Sequence, residues 1–78
     1  MNENLLKRIT LNPEVCHGKP VIRDSRYMVE TILEYLAGGD TIEDILEEFT
    51  DLTHEDVLAC FAYAALSLRF KDIEIPAA

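Results

Sequence analysis

The run Leu52-Thr53-His54-Glu55-Asp56-Val57-Leu58-Ala59-Cys60-Phe61-Ala62-Tyr63-Ala64-Ala65-Leu66-Ser67-Leu68 decides how the rest of the chain must be arranged. Thr53 is a good helix N-cap, because its side-chain oxygen can accept from an amide of the first turn that has no partner inside the helix. Glu55 and Asp56 follow at the positive end of the helix dipole. Leu52 and Val57 occupy the two positions that pair as a hydrophobic staple. From Val57 to Leu68 the helix then has almost no polar face. A helix apolar all round has to be buried on more than one side, and a chain of 78 residues has little interior to offer it. Self-association or a partner is therefore expected, with Val57, Leu58, Phe61, Ala62, Ala65 and Leu66 as the candidate interface and a homodimer as the first expectation.

Upstream, two more helices share the same apolar spacing. Val29, Ile32, Leu33 and Leu36 fall at i, i+3, i+4 and i+7, and Gly38-Gly39 supplies the left-handed residue that ends such a helix. Ile42, Ile45, Leu46 and Phe49 repeat the spacing, with Asp40 or Thr41 as cap and Glu43 and Asp44 at the dipole's positive end. Thr50-Asp51-Leu52 separates this helix from the last. Two helices joined by a short turn, with one before them, is helix-turn-helix order.

The N-terminal third reads differently. Ile9 and Leu11 alternate with Arg8 and Thr10 as in a half-buried strand, until Asn12-Pro13-Glu14 breaks the pattern. Val21 and Ile22 form a second extended piece after Pro20, and Asp24-Ser25 turns the chain toward Tyr27 and Met28 as a return strand. The tail Phe70-Lys71-Asp72-Ile73-Glu74-Ile75-Pro76 alternates again and reads as a short strand formed on a partner's sheet edge. The expected fold is a single domain over 1–78 and mainly α. It has a three-helix, homeodomain-like helix-turn-helix core at 29–68, a small β-sheet within 1–28 and a tail at 69–78.

Composition narrows the function. Apolar residues make up 49% of the chain and charged residues 28%, which is globular rather than disordered. The net charge is −8, which excludes a uniformly basic coat for nucleic acid or anionic lipid. That charge is uneven: residues 1–28 carry net +2, residues 29–68 carry ten acids and no Lys or Arg, and the tail is balanced. The opening Met1-Asn2-Glu3-Asn4 has neither a basic start nor a long apolar run, so no secretory leader is expected. Val57 to Leu68 falls short of the roughly 20 residues that cross a bilayer. A soluble cytoplasmic protein without membrane contact is expected, with Cys16 and Cys60 as reduced thiols.

Chemistry-bearing residues are few. Cys16, His17, His54 and Cys60 lack zinc-ligand spacing, and Cys60 is better placed in a core. Cys16 beside His17 has no third group to orient a base. Gly18-Lys19-Pro20 lacks the flanking residues of a phosphate loop and reads as a shaped entry to a strand. No cofactor, metal or catalysis is expected. DNA readout by the last helix is disfavoured, because His54-Glu55-Asp56 would bring carboxylates toward phosphates. DNA contact would instead fall to Lys7, Arg8, Lys19, Arg23 and Arg26 on paired N-terminal strands, unless Arg23 and Arg26 pair with the acidic helices.

Several linked segments resemble the bacterial domain-of-unknown-function family 433. They are Gly18-Lys19-Pro20-Val21-Ile22-Arg23 with Arg26, then Val29-Glu30 and Ile32-Leu33-Glu34-Tyr35-Leu36-Ala37-Gly38, then Thr41-Ile42-Glu43-Asp44-Ile45-Leu46-Glu47-Glu48-Phe49, Leu52-Thr53, Glu55-Asp56-Val57 and Ala62-Tyr63-Ala64-Ala65. The chain departs from that pattern at Asp24-Ser25, where Gly-Thr is usual, at Tyr27-Met28 for Ile-Pro, at His54 for Pro and at Leu58 for Arg. The resemblance implies an antitoxin-like protein that docks on a PIN-like ribonuclease, silences it and helps the pair bind its own promoter. Under that reading Arg69, Phe70, Lys71, Ile73 and Ile75 are the candidate toxin contacts, with a tail cation on the carboxylates of the nuclease's metal site. A stand-alone dimeric helix-turn-helix regulator is the rival.

Overall fold

The computed structural model describes residues 3–69. Its elements run α1 (Glu3–Leu6), β1 (Ile9–Thr10), a 3₁₀ turn (Cys16–Gly18), β2 (Val21–Ile22), α2 (Val29–Ala37), α3 (Ile42–Glu48) and α4 (His54–Leu68). The protein is mainly helical with a small two-stranded antiparallel sheet, and α2, α3 and α4 pack on one another in the expected order.

Each helix starts and stops for a local reason. Thr41 and Thr53 both close a full capping box: the Thr oxygen accepts from the amide of Asp44 or Asp56, and that residue's carboxylate accepts from the Thr amide. Helix α2 ends in a Schellman turn. The Gly39 amide donates to the Leu36 carbonyl and the Asp40 amide to the Tyr35 carbonyl, while Gly39 sits at φ 109°, where a side chain would be strained.

Antiparallel pairing sets Ile9 opposite Ile22 and Thr10 opposite Val21. The ladder is shorter than the alternation implied: it stops at Thr10, and Leu11 is left 61% exposed beside the Asn12-Pro13 turn. The chain reverses after β2 through Arg23 and Asp24, at φ 47° and 56°, with the Ser25 amide donating to the Ile22 carbonyl. Two successive positive φ values make this a hairpin turn of the kind whose twist suits its strands. Tyr27-Met28 does not become a strand. A single bridge joins Met28 to Val21, because helix α2 begins at once and the Val29 amide donates to the Pro20 carbonyl.

The core comprises Ile22, Val29, Ile32, Ile45, Leu52, Val57 and Cys60, all buried. Leu52 and Val57, the two staple positions, are both in it. Phe49 sits edge-on to Tyr27 and Tyr35 with ring centroids 5.4 and 5.6 Å away, which ties α3 to α2 and to the hairpin. Helix α1 had no periodicity from which to be read. It forms a single turn and lies on α4, which also packs against α2, α3 and β1.

Replacing Thr41 by Ala is expected to lower stability by about 1 kcal/mol. Thr53→Ala should cost at least as much, since α4 carries the contacts of every other layer. Urea unfolding followed by circular dichroism measures both.

Candidate interaction surface

The five N-terminal cations are the candidate DNA contacts, and the fold gives three of them internal work. The strand register places Arg8 across from Arg23, with the Arg23 amide donating to the Arg8 carbonyl at 2.7 Å. Like charges set opposite one another in a sheet repel. Here Asp56 of α4 enters between them. Arg8 donates to its Oδ1 at 3.0 Å, and Arg23 donates through Nε to Oδ1 at 3.1 Å and through a terminal nitrogen to Oδ2 at 2.8 Å. The same guanidinium also donates to the Asp51 carbonyl at 2.9 Å. Asp56 is fully buried, and every buried side-chain polar atom among the described residues has a partner. Lys19 pairs with Glu30 at 2.8 Å on the surface, and that carboxylate holds the ammonium above its ordinary range. Lys7 and Arg26 remain exposed, with no ion pair among the described residues.

Burial alone would raise the Asp56 pKa. The Thr53 amide and the Arg8 and Arg23 guanidinium groups outweigh it, and the net direction is down from the ordinary 3.8. Cys60, next in the same interior, is pushed up to about 12 by burial and by the Asp56 charge, so it is a protonated core thiol. Cys16 and His17 lie in the 3₁₀ turn rather than on a strand, both in the left-handed region, and Cys16 Sγ approaches the Arg26 carbonyl at 3.9 Å. Among the described residues no group of three or more His, Cys, Asp or Glu is placed to hold a metal ion.

Two surfaces stand out. The first is acidic. Of the ten acids between residues 29 and 68, nine are exposed, and Glu30 is the one of these paired to a cation among the described residues. A shallow cleft within this face is lined by Tyr35, Asp40, Asp44, Ile45, Glu47, Glu48 and Phe49. The second is apolar. A groove of about 730 Å³ runs between α2 and the last turns of α4, floored by Val29, Leu33, Tyr63 and Ala64 and rimmed by the Lys19–Glu30 pair. Leu68 closes its end.

The expected α4 interface is only partly on the surface. Val57 is fully buried in the core and cannot meet a partner. Leu58, Ala62 and Leu66 are half-buried, whereas Phe61 at 43% and Ala65 are exposed. Helix α4 is thus buried on one side through Asp56, Val57, Ala59 and Cys60, and open along the flank that carries Phe61 and Ala65. Arg69 is exposed at its C-terminal cap, and Phe70, Lys71, Ile73 and Ile75 lie outside the described residues. Asp56 was legible in the sequence only as a first-turn acid; no local signal marks it as the partner of two arginines 33 and 48 residues away.

Comparison with known proteins agrees with this architecture. The family model described as "Protein of unknown function (DUF433)" matches residues 9–64. A crystal structure of a DUF433 member protein from Anabaena variabilis superposes with a TM-score of 0.76 at 29% identity, covering 87% of this chain and 67% of that one. No curated protein matches the chain. No described helix is long and apolar enough to cross a membrane.

Asp56→Asn should lower stability by about 2–3 kcal/mol. That is less than for a fully buried pair, because Arg8 and Arg23 keep 35% and 47% of their side chains exposed and can rehydrate. Because the folded carboxyl titrates below the ordinary 3.8, its contribution is complete at neutral pH and is lost as pH falls from that value through the lowered one. Acid unfolding of the wild type should steepen there, and the Asn variant should lack that component. In a thiol-reagent assay on folded protein, Cys16 should react while Cys60 waits for denaturant.

Proposed function

We propose that this chain, which belongs to the DUF433 family, is a non-catalytic antitoxin-like protein that binds and neutralises a PIN-like ribonuclease. The observation that carries the reading is the acidic face of α2 and α3, exposed and almost without cations of its own. Such a surface attracts a basic partner over several ångströms and repels a phosphate backbone. A nuclease that grips RNA needs positive charge around its metal site, and that is the charge this face complements. The apolar groove beside Glu30 supplies area that contact with a partner would dry. In this reading Arg69 or Lys71 is the cation that pairs with the carboxylates of the nuclease's metal site.

The stand-alone DNA regulator has less support. Arg8, Arg23 and Lys19 are engaged within the chain, and the two N-terminal cations without an ion pair among the described residues, Lys7 and Arg26, are few against a duplex. Promoter binding then becomes a property of the complex, to which the nuclease brings most of the cations.

Co-purification from the native host at endogenous level, followed by RNA cleavage assays on the recovered nuclease, tests the proposal. Inhibition should weaken about tenfold or more in a Glu47→Lys, Glu48→Lys variant, and should fall as salt rises. The reading fails if charge reversal leaves inhibition unchanged. It fails equally if the isolated protein retards its promoter DNA with a steep salt slope and recovers no nuclease.

A further inference from the structure

The open flank of α4 has a more specific pattern than general oiliness. Leu58, Phe61, Ala65 and Leu68 recur at i, i+3, i+7 and i+10, the a and d spacing of a helix that packs along a second helix. All four reach the surface: Leu58 is half-buried, Ala65 is exposed, and Phe61 and Leu68 are 43% and 61% exposed. No charged residue lies between Val57 and Leu68 to oppose the contact.

We infer that this flank is the seam of an antiparallel α4–α4 homodimer, with its two-fold axis level with residue 63. This goes beyond the nuclease-binding reading and does not depend on it. In that register Leu58 meets the partner's Leu68, and Phe61 meets the partner's Ala65, so the largest side chain faces the smallest. A parallel pairing would set Phe61 on Phe61 and Ala65 on Ala65, overpacking one layer and leaving a void in the next.

Charge selects the same register. Three residues before Leu58 and one after Leu68 stand Glu55 and Arg69, both exposed and both without an ion pair among the described residues. They occupy equivalent flanking positions seven-residue repeats apart. Antiparallel pairing brings Glu55 of each copy beside the partner's Arg69 at both ends of the seam. A parallel dimer would instead leave each Glu55 roughly 20 Å along the seam from the partner's Arg69, so neither pair could form. The acids of α2 and α3 repel a second copy everywhere they are exposed, which leaves the uncharged flank as the favoured contact.

Equilibrium sedimentation of the intact protein tests this. With only about three turns of seam per helix, the dimer should form in the micromolar range, giving twice the 8.9 kDa chain mass at about 200 µM and dissociating on dilution. Phe61→Asp should be monomeric throughout with its helical circular dichroism intact, since the ring lies outside the core. Glu55→Arg and Arg69→Glu should each weaken the dimer about tenfold, and the double swap should restore it to within about twofold. A wild type monomeric at about 200 µM overturns the dimer. A double swap no tighter than the single variants overturns the antiparallel register.

Discussion

Strand register forces Arg8 and Arg23 together, and a carboxylate from a helix more than thirty residues further on makes that tolerable. Asp56 is fully enclosed, yet it accepts from both guanidinium groups and from the Thr53 amide. A buried charge is costly unless it is met on all sides. This one is met by the hairpin on one side and by its own helix start on the other, so the sheet cannot leave α4 without exposing an unmatched ion. The helix cap and the tertiary contact share one side chain, and loss of either weakens both. The same carboxylate reaches Cys60 electrostatically, and with burial it keeps that thiol protonated.

This arrangement divides the molecule's charges by function. Three of the five N-terminal cations hold the chain together, by burying Asp56 or by pairing Lys19 with Glu30. The acids of α2 and α3 receive almost no internal compensation and face solvent. Among the described residues the surface of α2 and α3 is therefore predominantly anionic, which is the feature the proposed basic partner would meet. Helix α4 supplies the scaffold for both parts: its first turns close the core, and its last turns border the groove and carry the uncharged flank.

Much of the fold was legible in the chain. The i, i+3, i+4, i+7 spacing located α2 and α3, Gly38-Gly39 marked a helix end, and Thr53 marked the start of α4. These signals are local, written in periodicity and in the chemistry of caps and turns. Helix α1, a single turn, could not be read because it depends on packing against α4 rather than on its own sequence. The return strand at Tyr27-Met28 gave way because the same residues must launch α2. Val57 left the expected interface for the core, since apolar content alone does not say which flank of a helix faces inward. The acidic face was legible as a run of charge. Pairing of Arg23 with an acidic helix was one alternative open in the sequence; that its partner is the buried Asp56, shared with Arg8, while the rest of the face stays almost uncompensated, was not.

The two helix starts make the division concrete. Thr41-Ile42-Glu43-Asp44 and Thr53-His54-Glu55-Asp56 have the same cap, the same acid at the third helical position and the same reciprocal pair of hydrogen bonds. The sequence determined that both would begin helices, because capping needs only neighbours three residues apart. It held nothing to distinguish Asp44 from Asp56. Packing decided that Asp44 would remain in water and that Asp56 would become the buried counter-ion of two arginines, because only the closed fold brings positions 8, 23 and 56 within hydrogen-bond reach.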